Sequence, residues 1–442
     1  MLFGTSGIRG LYGKDVTEEL SLKIANIFAD KDVVIGRDTR QTGMPLSEAA
    51  VSGVMARGRN AIQLGLVPTP TLALATRKHA CNGIMLTASH NPPEYNGLKL
   101  FSDGKEISRS REKEIEEAFV RGDSHLADWD KVGKSTFEKG AIFEHMALIH
   151  SLVDATAIKK RKLKVVIDCN GAGAAMTPNL LKDLGCEVVV LNGGTVGFGR
   201  PSEPNEKNLT ELAALVPKIG ADLGLAHDGD ADRTIAVDEK GRVLPLDVQL
   251  AIMCQHELRG SKNKNKKIVT TMEASLAVRE AVESVGSSIT ITPVGSLHVS
   301  EEMERQKAVF GGEPCGEYIY SKGIQVPDGP LAAVKMIEIF VQNGPLSALA
   351  SKFKTNPMAR EKFSAKKKYE VVDAIKNEIK IDGKRSEEDG IRVDEGDGWF
   401  LIRASGTEPF VRLTMEYKSK EKLNKRKEEL SSLIKRLISR IG

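Results

Sequence analysis

The sequence is poor in cysteine and in aromatic residues. Among its 442 residues are five cysteines, an odd number with no C-x-x-C pair, and aromatic side chains make up 5%. These counts exclude a disulfide framework and a zinc site built from cysteine pairs. The cysteines are interpreted as reduced thiols of a cytoplasmic protein. They are Cys81, Cys169, Cys186, Cys254 and Cys315.

The chain also lacks a strong charge of either sign and a long hydrophobic run. Lysine and arginine number 64 and aspartate and glutamate 60, so the formal net charge is only +4. That excess is too small to predict a nucleic-acid partner. No signal-peptide segment is predicted at the N-terminus. The longest uncharged stretch, residues 60–76, contains Pro68 and Pro70 and is too short to span a bilayer, so no membrane partner is predicted.

A recurring pattern organises most of the chain. An apolar run rich in valine and isoleucine opens into a short polar loop, with a helical stretch after it, at residues 33–38, 165–171 and 267–271. Strands that alternate with helices are typical of α/β layers with parallel strands. Because hydrophobic cores stop growing near about 250 to 300 residues, a chain of this length is expected to divide into several such units.

The C-terminal segment has a different composition. From Lys366 onward it is rich in lysine and glutamate, with strand-like runs at 399–402 and 410–414 and a charged helix predicted over 420–440. This pattern is typical of a smaller α+β domain. We therefore predict four domains, at residues 1–140, 141–240, 241–355 and 356–442.

Ser89 lies in a loop directly after the buried strand predicted at 84–86. Ligands gather at the carboxyl ends of strands in α/β sheets. A serine beside a histidine, here His90, is a candidate nucleophile or phosphoryl carrier. The Asn-Pro-Pro sequence that follows is equally typical of a plain turn, so the residue types alone leave both interpretations open.

Three aspartates alternate along one loop, at Asp228, Asp230 and Asp232. Strand-like runs flank the loop, and its carboxylates repel one another unless a hard cation with oxygen ligands is bound. A calcium EF-hand is disfavoured for two reasons. Arg233 stands where an EF-hand loop needs glycine, and helices flank an EF-hand loop whereas strand-like runs flank this one. The pattern favours magnesium held together with a phosphate, and a solvated turn is the alternative.

An arginine, two hydroxyls and a glycine crowd into residues 403–409, and Arg412 follows. A guanidinium fork with hydroxyl and backbone N–H donors suits a phosphate dianion, whereas a polar turn before a strand is the alternative. A nucleophile, a cation loop and a phosphate clamp in separate segments together indicate phosphoryl transfer between a protein hydroxyl and a phosphorylated small molecule.

Five segments resemble motifs of the α-D-phosphohexomutase family, which includes phosphoglucomutases, phosphomannomutases and phosphoglucosamine mutases. They occur in the family's order and span nearly the whole chain, at residues 5–10, 87–92, 228–233, 312–316 and 403–409. The resemblance implies an α/β fold of four domains around a central cleft. Three similar α/β domains with mixed sheets are expected, followed by a smaller C-terminal α+β domain.

The resemblance also implies a mechanism. Ser89 is expected to be a phosphoserine, and one Mg²⁺ per chain is expected on Asp228, Asp230, Asp232 and an oxygen of the phosphoserine. The implied substrate is a phosphorylated hexose or hexosamine, and the implied activator is a hexose 1,6-bisphosphate. Oligomeric state is expected to be monomer or homodimer.

Further residues are carried over by their match to the family motifs. Arg9, Lys99 and Arg233 are expected at the reacting centre. His90 and Lys99 are candidates for proton transfer, and the sequence does not rank them. The expected substrate-binding residues are Glu313, Cys315, Glu317, Arg403, Ser405, Gly406, Thr407 and Arg412.

Two departures from the family pattern bear on the substrate. Cys315 and Glu317 stand where many members have serine and histidine, and Ser296 follows Gly295 where relatives specific for glucose or mannose phosphates commonly have histidine. A carboxylate at 317 disfavours a nearby phosphate and favours a protonated amino sugar. These features resemble archaeal-type phosphoglucosamine mutases and predict interconversion of glucosamine 6-phosphate and glucosamine 1-phosphate.

Three alternatives remain. The first is a phosphoglucomutase or phosphomannomutase. The second is a silent phosphosugar-binding protein, and the third is a calcium-binding module. The intact serine and the complete aspartate set argue against the last two.

Overall fold

Four β-sheets follow one another along the chain. The computed structural model describes residues 2–4, 6–262, 266–406 and 409–442. We number the sheets with their helices as domains I to IV. Among the described residues no single helix is long and apolar enough to cross a membrane, although one bent pair, Ala141–Ser151 with Ala155–Arg161, passes that test jointly.

Domain I contains a mixed seven-stranded sheet. Its elements are β1 (Ile8–Leu11), α1 (Glu18–Phe28), β2 (Val33–Arg37), α2 (Gly43–Ala56), β3 (Ala61–Leu66), α3 (Thr69–His79), β4 (Asn82–Leu86), β5 (Tyr95–Ser102), β6 (Lys105–Glu106), α4 (Arg109–Arg121) and β7 (Ser135–Phe137). The strand order is β1-β5-β4-β2-β3-β7, with β6 beside β5. Strands β4, β2, β3 and β7 are parallel, and β5 runs against β4 and β1.

Domain II contains a mixed four-stranded sheet. Its elements are α5 (Ala141–Ser151), α6 (Ala155–Arg161), β8 (Lys164–Asp168), α7 (Thr177–Asp183), β9 (Glu187–Leu191), α8 (Thr210–Lys218), β10 (Leu223–Ala226) and β11 (Ile235–Val237). The order is β11-β10-β8-β9, and only the β10–β11 pair is antiparallel.

Domain III repeats this arrangement. Its elements are α9 (Leu246–Gly260), β12 (Lys267–Thr271), α10 (Leu276–Glu283), β13 (Ser288–Thr292), α11 (Ser296–Gln306), β14 (Phe310–Gly312), β15 (Tyr318–Tyr320), α12 (Gly329–Asn343) and α13 (Leu346–Ala350). The order is β13-β12-β14-β15, and only β14–β15 is antiparallel.

Domain IV has a five-stranded sheet that is antiparallel throughout, with helices packed on it. Its elements are β16 (Met358–Ser364), α14 (Lys368–Glu378), β17 (Lys384–Ser386), β18 (Ile391–Asp394), β19 (Gly398–Ala404), β20 (Phe410–Tyr417) and α15 (Lys420–Ile441). The predicted fold class, three mixed α/β domains and a C-terminal α+β domain, is confirmed.

The three α/β domains share one topology around an interior strand. The apolar runs that the sequence singled out are β2, β8 and β12, and each lies between two parallel neighbours. Such strands are buried on both faces, which accounts for their unbroken valine and isoleucine content. In each domain one neighbour of that interior strand (β4, β10 or β14) turns back into an antiparallel strand (β5, β11 or β15). The loop at that turn is therefore equivalent in all three.

The hydrophobic cores show how the domains are joined. Domains II and III share one large cluster that includes Ile167, Leu225, Phe310 and helix α12. Domain IV has its own core and meets domain III through a small cluster of Met272, Trp399 and Leu401. The C-terminal domain is thus joined to the rest by much less apolar surface than joins domains II and III.

Candidate active site

The equivalent loops of domains I to III and one turn of domain IV converge on one cleft. The serine loop connects β4 to β5, the aspartate loop connects β10 to β11, and the segment with Glu313 connects β14 to β15. In domain IV the β19–β20 turn carries Ser405. Together these loops line a cavity of about 1050 Å³. Repetition of one topology thus presents three different loops to a common centre.

The cleft contains most of the residues predicted from the sequence. Those that line it are Arg9, His90, Lys99, Asp232, Arg233, Glu313, Cys315, Glu317, Arg403, Ser405, Gly406 and Arg412. Ser89, Asp228 and Asp230 are buried beside it. Thr407 lies outside the described residues.

Ser89 lies against the aspartate loop of domain II. Its Oγ donates a 2.7 Å hydrogen bond to Oδ2 of Asp228, and Nδ1 of His90 lies 3.4 Å from the same Oγ. A side chain on Gly229 would come within 2.6 Å of the Ser89 carbonyl oxygen, so only glycine permits this approach. The backbone of Ser89 has φ +48°, a left-handed conformation that is uncommon for serine. The surrounding structure must therefore hold the loop in place.

Arg40 supplies much of that support. Its Nη1 donates to the carbonyl oxygens of Pro92 and Tyr95 at 2.6 and 2.8 Å. Its Nη2 donates to those of Ser89 and Asn91 at 2.9 and 2.8 Å. One buried guanidinium thus binds four carbonyl groups of the serine loop.

A second series of hydrogen bonds connects Asp38 to Ser89 through Thr87. The buried carboxylate of Asp38 pairs with Nε of Arg40 at 3.1 Å and accepts a 2.6 Å bond from Oγ1 of Thr87. Oγ1 of Thr87 in turn accepts the N–H of Ser89 at 2.9 Å. Burial raises the pKa of Asp38, although Arg40 opposes the rise. Ser202 of domain II adds a 2.8 Å bond to the Ser89 carbonyl.

The three aspartates form a buried oxygen cluster. One oxygen from each of Asp228, Asp230 and Asp232 lies within 4.8 Å of the others. Oδ1 of Asp230 and Oδ1 of Asp232 are buried without a hydrogen-bond partner. Unsatisfied buried carboxylate oxygens are costly, and hard cations such as Mg²⁺ prefer oxygen ligands of this kind. The cluster could therefore hold a metal ion.

The three aspartates shift one another's pKa values because their charges have the same sign. Burial raises the pKa of Asp228 to about 6, and the negative charge of Asp230 adds to that rise. Burial and Asp230 also raise the pKa of Asp232 well above its ordinary value. Burial acts to raise the pKa of Asp230 too, but Lys99 outweighs it and the pKa of Asp230 falls. Asp228 and Asp232 are thus harder to ionise than ordinary aspartates unless a further positive charge lies beside them.

Lys99 and His90 are the two proton-transfer candidates, and their environments differ. Nζ of Lys99 contacts Oδ2 of Asp230 at 2.8 Å and Oδ2 of Asp232 at 2.6 Å. Burial acts to lower the pKa of Lys99, but these two carboxylates outweigh it and the pKa rises. Burial and the charges of Arg233 and Arg9 lower the pKa of His90 well below its ordinary value. Lys99 is therefore a cation here, and the His90 ring is neutral.

Glu317 is bound to Arg233 across the domain II–III boundary. Its Oε1 accepts bonds from Nε and Nη2 of Arg233 at 3.0 and 2.8 Å. The charge that sequence analysis expected to face the substrate is thus partly neutralised by a guanidinium. Glu313 lies nearby, and burial together with the charge of Glu317 raises the pKa of Glu313 well above its ordinary value.

The predicted phosphate clamp occupies the domain IV wall of the cleft. Nε of Arg403 lies 3.2 Å from Oε1 of Glu273 in domain III, and its Nη1 lies 3.6 Å from Asp389. Ser405, Gly406 and Arg412 line the same wall. Guanidinium groups bind phosphate through paired N–H donors, so a wall with two arginines and a hydroxyl is suited to a phosphate.

Several supporting residues were not identified from the sequence. Arg40, which pairs with Asp38, and Ser202 both donate to the Ser89 carbonyl. Arg200 donates to the Asp168 carboxylate and to the His227 carbonyl. The acceptors of Arg40, Ser202 and Arg200 in these bonds to Ser89, Asp168 and His227 lie 27 to 113 residues away along the chain. The Gly36–Arg40 turn is polar, but its residue types alone do not identify Arg40 as a support of the serine loop. Arg37 donates only to the neighbouring carbonyl of Asp38 among the bonds observed for its side chain.

Comparison with known proteins gives the same architecture. Four models described as phosphoglucomutase/phosphomannomutase match in order. The alpha/beta/alpha domains I, II and III match residues 1–125, 144–241 and 247–356, and the C-terminal domain matches 358–433.

Whole-chain relatives agree. Proteins named probable phosphoglucosamine mutase from the archaea Methanosarcina barkeri and Methanococcoides burtonii are 42% and 40% identical, each aligned over 94% of this chain and 95% of its own length. A phosphoglucomutase/phosphomannomutase family protein of known structure from Burkholderia thailandensis superposes with a TM-score of 0.86, at 24% identity, over 99% of this chain and 97% of its own. The predicted resemblance is thereby confirmed, and the chain belongs to the phosphoglucomutase/phosphomannomutase family of phosphohexomutases.

Proposed function

We propose that this protein interconverts glucosamine 6-phosphate and glucosamine 1-phosphate, with Ser89 as the phosphoryl carrier. The observation that carries the proposal is the 2.7 Å contact between Oγ of Ser89 and Asp228, which joins a candidate nucleophile to a metal-binding cluster from another domain. In the first half-reaction a sugar hydroxyl oxygen bonds to the phosphorus as the bond from phosphorus to Oγ of Ser89 breaks, and in the second Oγ of Ser89 bonds to the other phosphorus as the bond from that phosphorus to its sugar oxygen breaks. The product of the first is a hexosamine 1,6-bisphosphate, which returns its other phosphate to Ser89.

The buried aspartates fit a magnesium ion. Asp228, Asp230 and Asp232 would hold it, together with an oxygen of the phosphorylated Ser89, one ion per chain. Support comes from the unpartnered Oδ1 atoms and from the raised pKa values of two carboxylates, which an added cation would relieve. When bound, Mg²⁺ supplies positive charge that offsets the charge on the transferring phosphoryl group.

Four residues around Ser89 have proposed roles in the transfer. Arg9 and Arg233 would stabilise charge on the phosphoryl oxygens from the cleft side. Neutral His90 can accept the proton that leaves the attacking hydroxyl, and cationic Lys99 can donate one to Oγ of Ser89 as it departs.

The clamp in domain IV would bind the phosphate that does not react. Arg403, Ser405, Gly406, Thr407 and Arg412 form the proposed site. One clamp must accept either end of the bisphosphate, because the intermediate turns over between the two half-reactions while Ser89 stays in place. A trace of hexose 1,6-bisphosphate would act as the activator by phosphorylating Ser89.

Substrate choice is proposed to rest on the domain III loop. Glu313 and Glu317 place two carboxyl groups on the cleft wall beside Cys315. A pair of acidic groups favours a ligand with a protonated amine over one with a hydroxyl at that position. The proteins named probable phosphoglucosamine mutase share about 40% identity with this chain, which supports the same assignment.

We also propose that the four domains meet near residues 140, 240 and 355.

The deciding experiment is ³¹P NMR of the purified protein with Mg²⁺. It is run with the 1-phosphates of glucosamine, glucose and mannose in separate samples, each with a trace of its 1,6-bisphosphate. Fast conversion of glucosamine 1-phosphate with slow conversion of the others supports the proposal. Equal or faster turnover of glucose or mannose phosphate would instead make the protein a phosphoglucomutase or phosphomannomutase.

A further inference from the structure

Two arginines of the cleft are each paired with a glutamate that also lines it. Arg233, which directly follows the last aspartate of the cluster, binds Oε1 of Glu317 through Nε and Nη2 at 3.0 and 2.8 Å. Nε of Arg403, in the domain IV clamp, lies 3.2 Å from Oε1 of Glu273. Both pairs cross a domain boundary, because the two glutamates belong to domain III. The cleft thus has one arginine–glutamate pair at the reacting centre and another at the clamp.

Glu273 lies just beyond the carboxyl end of the interior strand β12. Ligands gather at the carboxyl ends of such parallel strands. The side chain of Glu273 keeps 22% of its surface accessible, on the cleft side. Within the described part of the chain, Oε2 of Glu273 accepts no hydrogen bond, and neither does Oε2 of Glu317. Each carboxylate therefore has an oxygen left for a ligand in the cleft.

A third carboxyl group, that of Glu313, lies within electrostatic reach of both glutamates. Burial raises the pKa of Glu313 well above its ordinary value, and the negative charges of Glu317 and Glu273 add to the rise. Glu313 is therefore harder to ionise than an ordinary glutamate. The two glutamates that are bound to arginines provide the negative charge of this wall.

The amine of glucosamine changes its place in the cleft during each turnover. It is bonded to C2, next to C1 and across the ring from C5, which carries C6. When the 1-phosphate occupies the clamp, the amine lies beside the clamp. When the 6-phosphate occupies the clamp, the amine lies beside the reacting centre. Because the bisphosphate turns over between the half-reactions, a single carboxylate cannot contact the amine in both orientations.

We propose that Glu273 is a specificity-determining residue that binds the protonated amine of glucosamine when the 1-phosphate is in the clamp, and that Glu317 binds the amine in the opposite orientation. Arg403 would hold the phosphate on C1, and Glu273 lies beside that arginine, where the amine on the neighbouring C2 would follow. Glu317 has the same relation to Arg233 at the reacting centre. Glucose phosphates carry a neutral hydroxyl on C2 and gain nothing from either charge. This inference rests on the proposed function.

Calorimetric binding to the full chain carrying Ser89→Ala tests the proposal, because this background cannot turn the ligand over. The ligands are the 1-phosphates and 6-phosphates of glucosamine and of glucose, each titrated in the presence of Mg²⁺. Adding Glu273→Gln should weaken binding of glucosamine 1-phosphate by about 10-fold relative to glucose 1-phosphate, since a charge-assisted bond becomes a neutral one. Binding of glucosamine 6-phosphate should not change. Adding Glu317→Gln instead should give the reverse pattern.

Asp389→Asn in the same background is the matched control. Asp389 also lies beside Arg403, with 3.6 Å between Oδ2 and Nη1, but it is not among the residues that line the cleft. This variant should change the binding of glucosamine 1-phosphate and glucose 1-phosphate by the same factor. The comparison separates the orientation of Arg403 from contact with the amine. Retained binding of the other glucosamine phosphate shows that each glutamate variant is folded.

Failure of this inference and failure of the proposed function give different results. If the Ser89→Ala protein binds glucosamine and glucose phosphates equally, or binds neither, the glucosamine assignment fails and this inference fails with it. If that protein prefers glucosamine phosphates but Glu273→Gln weakens both positional isomers equally, or neither, the assignment stands and the role of Glu273 is overturned. A selective loss of glucosamine 1-phosphate in Asp389→Asn would also overturn it.

Discussion

Arg40 binds the backbone of the candidate nucleophile directly, with its Nη2 2.9 Å from the carbonyl oxygen of Ser89. The same guanidinium is buried and pairs with Asp38. Ser89 adopts a left-handed backbone conformation, which a free loop would not keep. Arg40 is thus a positioning residue, because it acts on the serine through its loop and lines no part of the cleft.

Arg40→Lys should lower kcat far more than it changes KM. Lysine keeps the positive charge but offers fewer donors in a different geometry, so some of the four carbonyls lose their bond. A displacement of about 1 Å at a reacting group can cost roughly 100-fold in rate. Steady-state kinetics and the phosphoserine content by intact mass are the measurements. Arg37→Lys, three residues earlier, serves as the control and should leave both unchanged. A fall in kcat/KM that came from KM alone would contradict the positioning role.

Ser89→Ala should abolish turnover and leave the fold intact. The substitution removes the proposed phosphoryl carrier and almost no volume. Activity by ³¹P NMR, the phosphate mass increment and the unfolding temperature are the three measurements. Ser52→Ala on the exposed face of α2 should keep the wild-type values of all three. Wild-type turnover in the Ser89 variant would refute the phosphoserine mechanism.

Much of the fold could be predicted because its central strands carry a local signal. β2, β8 and β12 are short runs of valine and isoleucine, buried on both faces, and each is followed by a polar loop. The aspartate loop could be predicted as a metal site in the same way, since three alternating carboxylates repel one another unless a cation is bound. Both signals are contained within a dozen or so consecutive residues.

The rest depends on contacts that leave no local pattern. Arg40 binds carbonyl groups 49 to 55 residues away, and carbonyls carry no sequence signature. The pairing of Glu317 with Arg233 joins residues 84 positions apart. From the sequence Glu317 was expected to act as a free charge on the substrate. Its position shows that any such effect is shared with an arginine.

Variants of Glu317 separate its charge from its hydrogen bonds. Glu317→Gln can still accept a bond from Arg233 but carries no charge, whereas Glu317→His loses both the acceptor geometry and the charge. If charge selects the amino sugar, both variants should lose the preference for glucosamine over glucose phosphate, by about 10-fold or more. The measurement is the ratio of kcat/KM for the two substrates. An unchanged ratio in both variants would refute the charge argument.

Mg²⁺ should stabilise the protein through the aspartate cluster. A ligand that binds only the folded state at 100 times its Kd adds about 2.7 kcal/mol. Asp232→Asn removes a carboxylate whose pKa is raised by burial and by Asp230, so the metal-free variant should be no less stable than wild type. The rise of the unfolding temperature with Mg²⁺ should vanish in this variant and persist in Asp183→Asn, which changes an exposed residue at the end of α7. A full Mg²⁺ response in Asp232→Asn would place the ion elsewhere.

Glu338 should make stability depend on pH in the acid range. Burial acts to raise its pKa, but the hydrogen bond with His256 and the charge of Lys335 outweigh burial and hold the pKa at about 2. The ordinary value is 4.5. A carboxyl group with a lowered pKa in the folded state contributes stability above pH 4.5, and this contribution is lost as pH falls toward 2.

Glu338→Gln should therefore be less stable than wild type at pH 7, on the order of 2 kcal/mol once solvent screening is allowed for. The difference in urea midpoint between the two proteins should narrow steadily below pH 4.5. Glu19→Gln removes an exposed carboxylate paired with Lys23 and should match wild type throughout. A difference for Glu338→Gln that stays constant from pH 7 to pH 3 would mean that packing, and not the charge of Glu338, joins α12 to its neighbours.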